Sequence, residues 1–257
     1  MSKTTRTPIV LAAVAALGLA AASPALAAGD VAKPPAQSWS FGGLFGTYDR
    51  AATQRGFQVY KEVCSACHSL KLVAYRNLRA LGFNEEEVKA IAAGYEIQDG
   101  PNDQGEMFTR PGRPSDRFKS PFANDQAARA TNGGALPPDL SLIVKARVGG
   151  PDYLYGLLNG YEEPRGVTLM AGMSYNKYFP GNQIGMAPPL NADAVTYADG
   201  TKATVPQMAR DVATFLNWSA EPELEARKAM GVKVILFLIV MTGLLYAAKR
   251  RVWAAAH

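Results

Sequence analysis

Apolar positions fall into two regimes along this chain: continuous runs near either end and, between them, short stretches at helical spacing separated by loops rich in Gly and Pro. Phe57, Tyr60 and Cys64 follow Asp49 at intervals of three and four, so a helix is expected from about Arg50 to Ser65 with Asp49 as its N-cap. Asn84 opens a second helix. Glu85, Glu86 and Glu87 set negative charge against the positive end of its dipole, and Gly94 closes it. Asp139 is expected to cap a short helix reaching Lys145, and Asp152 another reaching Leu158 ahead of Gly160. From Thr204, with Pro206 in the first turn, Met208, Val212, Phe215 and Leu216 form an apolar stripe that should end near Trp218, before Pro222. Gly94 to Asn124 and the stretch 161–203 lack periodicity and read as long loops. With no strand pattern of any length and no internal repeat, the expected fold class is mainly α with long loops.

The terminal runs have different meanings. Lys3 and Arg6 precede an Ala-rich apolar run from Ile9 to Ala22, and Ala25-Leu26-Ala27 forms a small-residue cleavage pattern, so residues 1–27 read as a secretory signal peptide. Ala229 to Ala248 contains only one charge, Lys233, and twenty helical residues rise about 30 Å, the thickness of a bilayer's hydrocarbon core. A single C-terminal transmembrane anchor is expected over residues 227–250. Basic residues flank it on both sides, Arg227 and Lys228 against Lys249, Arg250 and Arg251, so charge does not orient it. Export does: residues 28–226 would lie outside the cytoplasm, in the periplasm of a bacterium, and 251–257 would form a short cytoplasmic tail.

This segregation changes how the formal charge of +5 is read. The segment 28–226 keeps 19 of the 27 basic residues and all 22 acidic ones, a net charge of −3. The excess of positive charge belongs to the two ends. No basic stripe interleaved with aromatics is present, which argues against a nucleic-acid partner; a mildly acidic exported surface would instead attract a basic soluble protein.

The candidate chemistry is concentrated at Cys64-Ser65-Ala66-Cys67-His68, which holds both cysteines of the chain and one of its two histidines. C-x-x-C-H is the attachment signature of a c-type haem: two thiols reach the two vinyl groups of one porphyrin and the adjoining imidazole reaches its iron. A structural zinc site needs four ligands, and only the terminal His257 remains to supply one. A thioredoxin-like C-x-x-C opens a helix, whereas this one closes a helical stretch. For the second axial position, Met170, Met173 and Met186 remain once methionines in the signal, the anchor, a helix face (Met208) and a loop (Met107) are set aside. Met186 lies in Gly185-Met186-Ala187-Pro188-Pro189, where two prolines stiffen the backbone and remove N–H donors that a porphyrin could not satisfy. A gap-filling core methionine is the alternative. The loop 94–124 is expected to cover one side of the haem.

These residues carry a resemblance. Arg55-Gly56-Phe57-Gln58-Val59-Tyr60 leading into the haem motif, Ala135-Leu136-Pro137-Pro138-Asp139-Leu140-Ser141, Tyr178-Phe179-Pro180-Gly181, Ile184-Gly185-Met186-Ala187-Pro188-Pro189 and Trp218 to Pro222 together resemble the cytochrome c1 family, the haem subunit of the cytochrome bc1 complex, in a bacterial form. The resemblance implies a cytochrome c-like domain with one covalent haem c, thioethers at Cys64 and Cys67, and iron ligands His68 and Met186. It also implies a propionate partner at Arg147 and a pocket aromatic at Tyr153. It implies cytochrome b, a Rieske iron–sulfur protein and a soluble c-type cytochrome as partners, with membrane lipid around the anchor. A free-standing membrane-tethered cytochrome c, or a haem enzyme or sensor with an open axial site, are the competing readings.

Overall fold

The computed structural model describes residues 32–164 and 166–254; the expected signal segment and His257 lie outside them. Helix α1 (Arg50–Glu62) is capped as its sequence requires, the Asp49 carboxylate accepting from the Ala52 N–H. It stops three residues short of the expected end, and the chain tightens into a 3-10 turn at Cys64–Ala66. Helix α2 (Glu85–Ala93) carries a complete capping box, in which Asn84 accepts from Glu87 N and the Glu87 carboxylate accepts from Asn84 N. Helix α5 (Val205–Ala220) begins at the Thr204 cap and buries Met208, Val212, Phe215 and Leu216, but runs two residues beyond Trp218.

The core is built where α1 crosses α5. Gly56 and the α5 backbone approach so closely that a Cβ on Gly56 would lie 2.0 Å from the Asp211 carbonyl oxygen. Phe57 and Tyr60 then meet Phe215 with ring centroids 5.7 Å apart. Beside the crossing, the buried Asp211 carboxylate takes a two-pronged bond from Arg55 (2.9 and 3.2 Å), and both of its oxygens accept from Gln207. A buried carboxylate is tolerable only with such pairing. Phe118 completes the cluster, stacked on Tyr75 at 4.6 Å.

Several expectations are corrected. The loop after Gly94 contains an antiparallel hairpin, β1 (Glu96–Asp99) with β2 (Phe108–Pro111), clamped by Arg110 to Asp99 and Asp116. It also ends in helix α3 (Asp125–Thr131), capped by Asn124. A 3-10 segment, Tyr75–Leu81, was not anticipated. Residues from Asp139 to Lys145 form turns instead of a regular helix, and the Asp139 carboxylate is divided between Ser141 N in its own segment and Ser69 and Lys71 outside it. Helix α4 (Gly150–Asn159) starts from Gly149 in the left-handed region, φ 89°. Asp152 is thus inside the first turn, accepting from Gln37 N and Trp39 Nε1. The connection 161–203 holds a minimal pair, β3 (Ser174–Tyr175) with β4 (Gln183–Ile184). None of these short strands changes the class, which is mainly α.

Helix α6 (Leu224–Ala254) is the only described helix long and apolar enough to cross a membrane, and none of its apolar window is buried. It starts three residues before the expected anchor and continues four beyond it. Its first turns are stitched to the domain: Glu225 accepts from Tyr48 N and pairs with Arg50.

Candidate haem site

The site grows from the end of α1. The 3-10 turn, closed by the N–H groups of Cys67 and His68 onto the Cys64 carbonyl, sets the two thiols and the imidazole on one short loop. Cys64 is half-buried and Cys67 exposed. Desolvation, with Cys67 beside it, pushes the Cys64 thiol up to about 12, so without haem it stays protonated. Tyr60 on α1 donates to the His68 carbonyl at 3.2 Å, tying the loop to the core.

His68 is oriented by a second segment. Its Nδ1 lies 2.8 Å from the Pro138 carbonyl oxygen. A carbonyl can only accept, so Nδ1 carries the proton and Nε2 is left with a free lone pair, the arrangement a metal-binding imidazole requires. Burial lowers the His68 pKa, against the opposing pull of that hydrogen bond and of Asp139, and favours the neutral ring.

Asp139 is the rivet between the two segments. Its carboxylate accepts from Ser69 Oγ (2.8 Å), Lys71 N (2.8 Å) and Ser141 N (2.9 Å), while Ser141 Oγ accepts from Leu72 N and Leu140 N donates to the Ser69 carbonyl. Burial pulls its pKa upward, but the bonds from Ser141, Lys71 and Ser69 outweigh it and hold the carboxyl below its ordinary value. A depressed carboxyl stabilises the fold above its unfolded pKa, roughly 4, and loses that contribution as pH falls through the native value. Asp139→Asn is therefore expected to remove part of the acid-side slope in a stability–pH titration. It should also destabilise the domain at pH 7 by about 1–3 kcal/mol, since it weakens two half-buried bonds and one exposed bond to a charged acceptor. An unchanged slope and stability would refute the rivet.

Met186 lies on a separate segment. It follows β4 after one residue, Gly185, and its carbonyl accepts from the Tyr161 hydroxyl at 3.1 Å. The strand pair is held on α4 by Asn176, fully buried, which donates to the Leu157 carbonyl and accepts from Tyr178 N. The neighbouring Gly185 packs on Ala135: a Cβ there would stand 3.3 Å from that of Ala135. The Met186 loop and the segment leading to Pro138 are thereby neighbours. Met170 stands 61% exposed on its own turn, and the Met173 sulfur would be 3.8 Å from a Gly185 Cβ.

Arg147 is exposed, and its guanidinium lies beside the Tyr153 phenol, where it counters the upward shift that burial imposes on that group. Tyr153 in turn lies near Tyr161, whose pKa is raised by burial first and by Tyr153 second. Arg147, Tyr153, Tyr161 and Met186 thus form a succession. Tyr161, the Pro138 carbonyl and the Asp139 carboxylate are the parts that sequence reasoning missed. A proline following a proline has a carbonyl but no N–H, which hints at a backbone acceptor; nothing local marks Tyr161.

The residues of the loop fit a c-type haem, with two thiols for covalent attachment and an imidazole whose Nε2 is free beside them. The sequence matches the model of the Cytochrome C1 family over residues 39–256. It is 54% identical to cytochrome c1 of Rhodospirillum rubrum, covering 84% of this chain and 86% of that one. It is 53% identical to cytochrome c1, heme protein, of Saccharomyces cerevisiae mitochondria, over 86% of this chain and 72% of the relative. It is also 51% identical to the cytochrome b/c1 of Bradyrhizobium diazoefficiens over 97% of its length, although it spans only 40% of that longer protein. With a match of this extent the chain belongs to the cytochrome c1 family, whose members carry covalently bound haem c.

Proposed function

We propose that this chain is the electron-carrying subunit of a quinol–cytochrome c reductase. It takes single electrons from a Rieske iron–sulfur protein and passes them to a soluble c-type cytochrome, while cytochrome b handles quinol in the membrane. By itself the chain is a carrier; the enzyme is the complex. The observation that carries the reading is the His68–Pro138 hydrogen bond, because it fixes the ring tautomer for iron. A bound haem c supplies a one-electron redox couple and nothing else is asked of it.

Cys64 and Cys67 hold that haem by thioethers, which removes the ionisable thiol at Cys64 altogether. His68 and Met186 ligate the iron, a pairing that raises the potential. Arg147 pairs with a propionate and Tyr153 walls the pocket. Residues 1–27 act as a signal peptide, 28–226 form the periplasmic haem domain, 227–250 cross the inner membrane once and 251–257 remain in the cytoplasm. The name of the Bradyrhizobium relative couples b and c1, which supports cytochrome b as a partner. The −3 of the exported segment suits a basic soluble acceptor.

The direct test is Cys64→Ala with Cys67→Ala. The expected product is a chain with no haem stain on denaturing gels and a poorly folded domain; stain that persists would overturn the assignment. Co-purification with b-type haem separates the complex from a free-standing tethered cytochrome. Exclusion of carbon monoxide from the reduced protein separates a carrier from a haem enzyme with an open axial site.

A further inference from the structure

We propose that the turn Gly43–Leu44–Phe45 is a second membrane contact, dipping into the headgroup–acyl boundary of the bilayer beside α6. The proposal rests on the reading of α6 as a membrane span. Leu44 is 62% and Phe45 77% exposed, an adjacent pair of large apolar side chains at the tip of a small closed loop.

The loop is rigid. Its ends meet through Thr47 N–H donating to the Ser40 carbonyl at 3.1 Å. Gly46 has no room for a side chain, since a Cβ would lie 1.9 Å from the Gly42 carbonyl oxygen. Phe41 roots it in the core, packed against Trp39 at 5.4 Å and Tyr48 at 5.3 Å.

The loop is also fastened to α6 at a definite height. Lys228 Nζ donates to the Phe41 and Gly46 carbonyls at 2.7 and 3.0 Å. Leu44 and Phe45 border a cavity of about 160 Å³ together with Ala229 and Val232. At 1.5 Å per residue, Val232 lies about 12 Å along the helix from Leu224, past Arg227 and Lys228 and within the start of the apolar run. The tip therefore sits where headgroups give way to acyl chains. Its occupant is lipid, because two side chains on a turn bounded by Gly43 and Gly46 are far too little for a protein interface, which takes about 800 Å² from each partner. They match a shallow interfacial wedge, in which a few apolar groups enter the boundary layer beneath a polar surround. With α6 as one point of attachment and this turn as another, the haem domain is held at a fixed tilt to the membrane.

The test uses the full-length chain in nanodiscs of zwitterionic phospholipid, loaded with haem so that Cys64 and Cys67 are taken up as thioethers and an introduced cysteine is the sole free thiol. Spin labels are placed at Phe45→Cys, at Leu238→Cys within α6 and at Gln126→Cys on α3. Accessibility to oxygen and to a water-soluble nickel complex is then compared. The expected result is a loss of nickel accessibility at 45 relative to 126, with oxygen accessibility raised, at a depth shallower than at 238. A label at 45 as open to nickel as that at 126, with 238 in lipid, overturns the wedge and leaves the anchor standing. A label at 238 open to nickel overturns the anchor reading itself. A label at 45 shielded from both reagents overturns the proposal in favour of a protein cover.

Discussion

Replacing Met186 by Leu is expected to lower the haem potential by at least about 120 mV, a hundredfold in a one-electron equilibrium, and to abolish quinol–cytochrome c reductase activity while haem stays bound. The thioether favours the ferrous state, and Leu removes it with little change in volume, so the loop should keep its place. The Tyr161 hydroxyl would still bond the residue-186 carbonyl, since that contact is to the main chain. The thioethers proposed at Cys64 and Cys67 do not depend on position 186. Carbon monoxide should then bind the reduced variant. The Leu variants of Met170 and Met173 are the controls, and both should keep a near-normal potential. A high potential and a closed sixth site in Met186→Leu, with both lost in one of the others, would move the axial ligand.

Gly56→Ala should destabilise the domain by about 3 kcal/mol or more, at or above the usual upper range for overpacking, which corresponds to a fall of roughly 6–12 °C in apparent Tm for a domain of this size. The Asp211 carbonyl oxygen 2.0 Å from the new Cβ is main chain and cannot rotate aside; the Phe215 Cβ, 2.7 Å away, blocks the other exit. The helices must separate, and separation loosens the Arg55–Asp211 bond and the Phe57–Phe215 and Tyr60–Phe215 contacts at once. Because Tyr60 also holds the His68 carbonyl, the damage should reach the haem spectrum. Gly231→Ala is the comparison: it is also inside a helix, and its Cβ meets nothing within 4 Å. There the substitution should be neutral or mildly favourable, since Ala exceeds Gly in helix propensity by about 1 kcal/mol. Equal tolerance at both sites, by thermal melts of the haem-loaded protein, would contradict the close crossing.

What the sequence determined by itself was local or covalent. The C-x-x-C-H run is legible because the attachment proposed for it needs only the spacing of five consecutive residues. Helices α1, α2 and α5 are legible because cap and stripe lie within one turn or one face, and α6 because crossing a bilayer needs only length and apolarity. The fold class and the family followed from these. The tertiary structure decided whatever joins residues far apart in the chain. Asp139 has the look of a helix cap, and one of its oxygens does accept from Ser141 N, but the other is shared by Ser69 and Lys71, some seventy positions away, and turns follow in place of a helix. Asp152 lost its cap for the same reason, drawn to Gln37 and Trp39. The hairpin β1–β2 escaped notice because four-residue strands are too short to write an alternating apolar pattern into the sequence, and their pairing is clamped by Arg110 of β2, onto Asp99 across the hairpin and onto Asp116 beyond it. The tautomer of His68 and the tether on Met186 depend on one proline carbonyl and one tyrosine hydroxyl brought in by packing, and a hydrogen bond across tens of residues writes no periodicity into the chain.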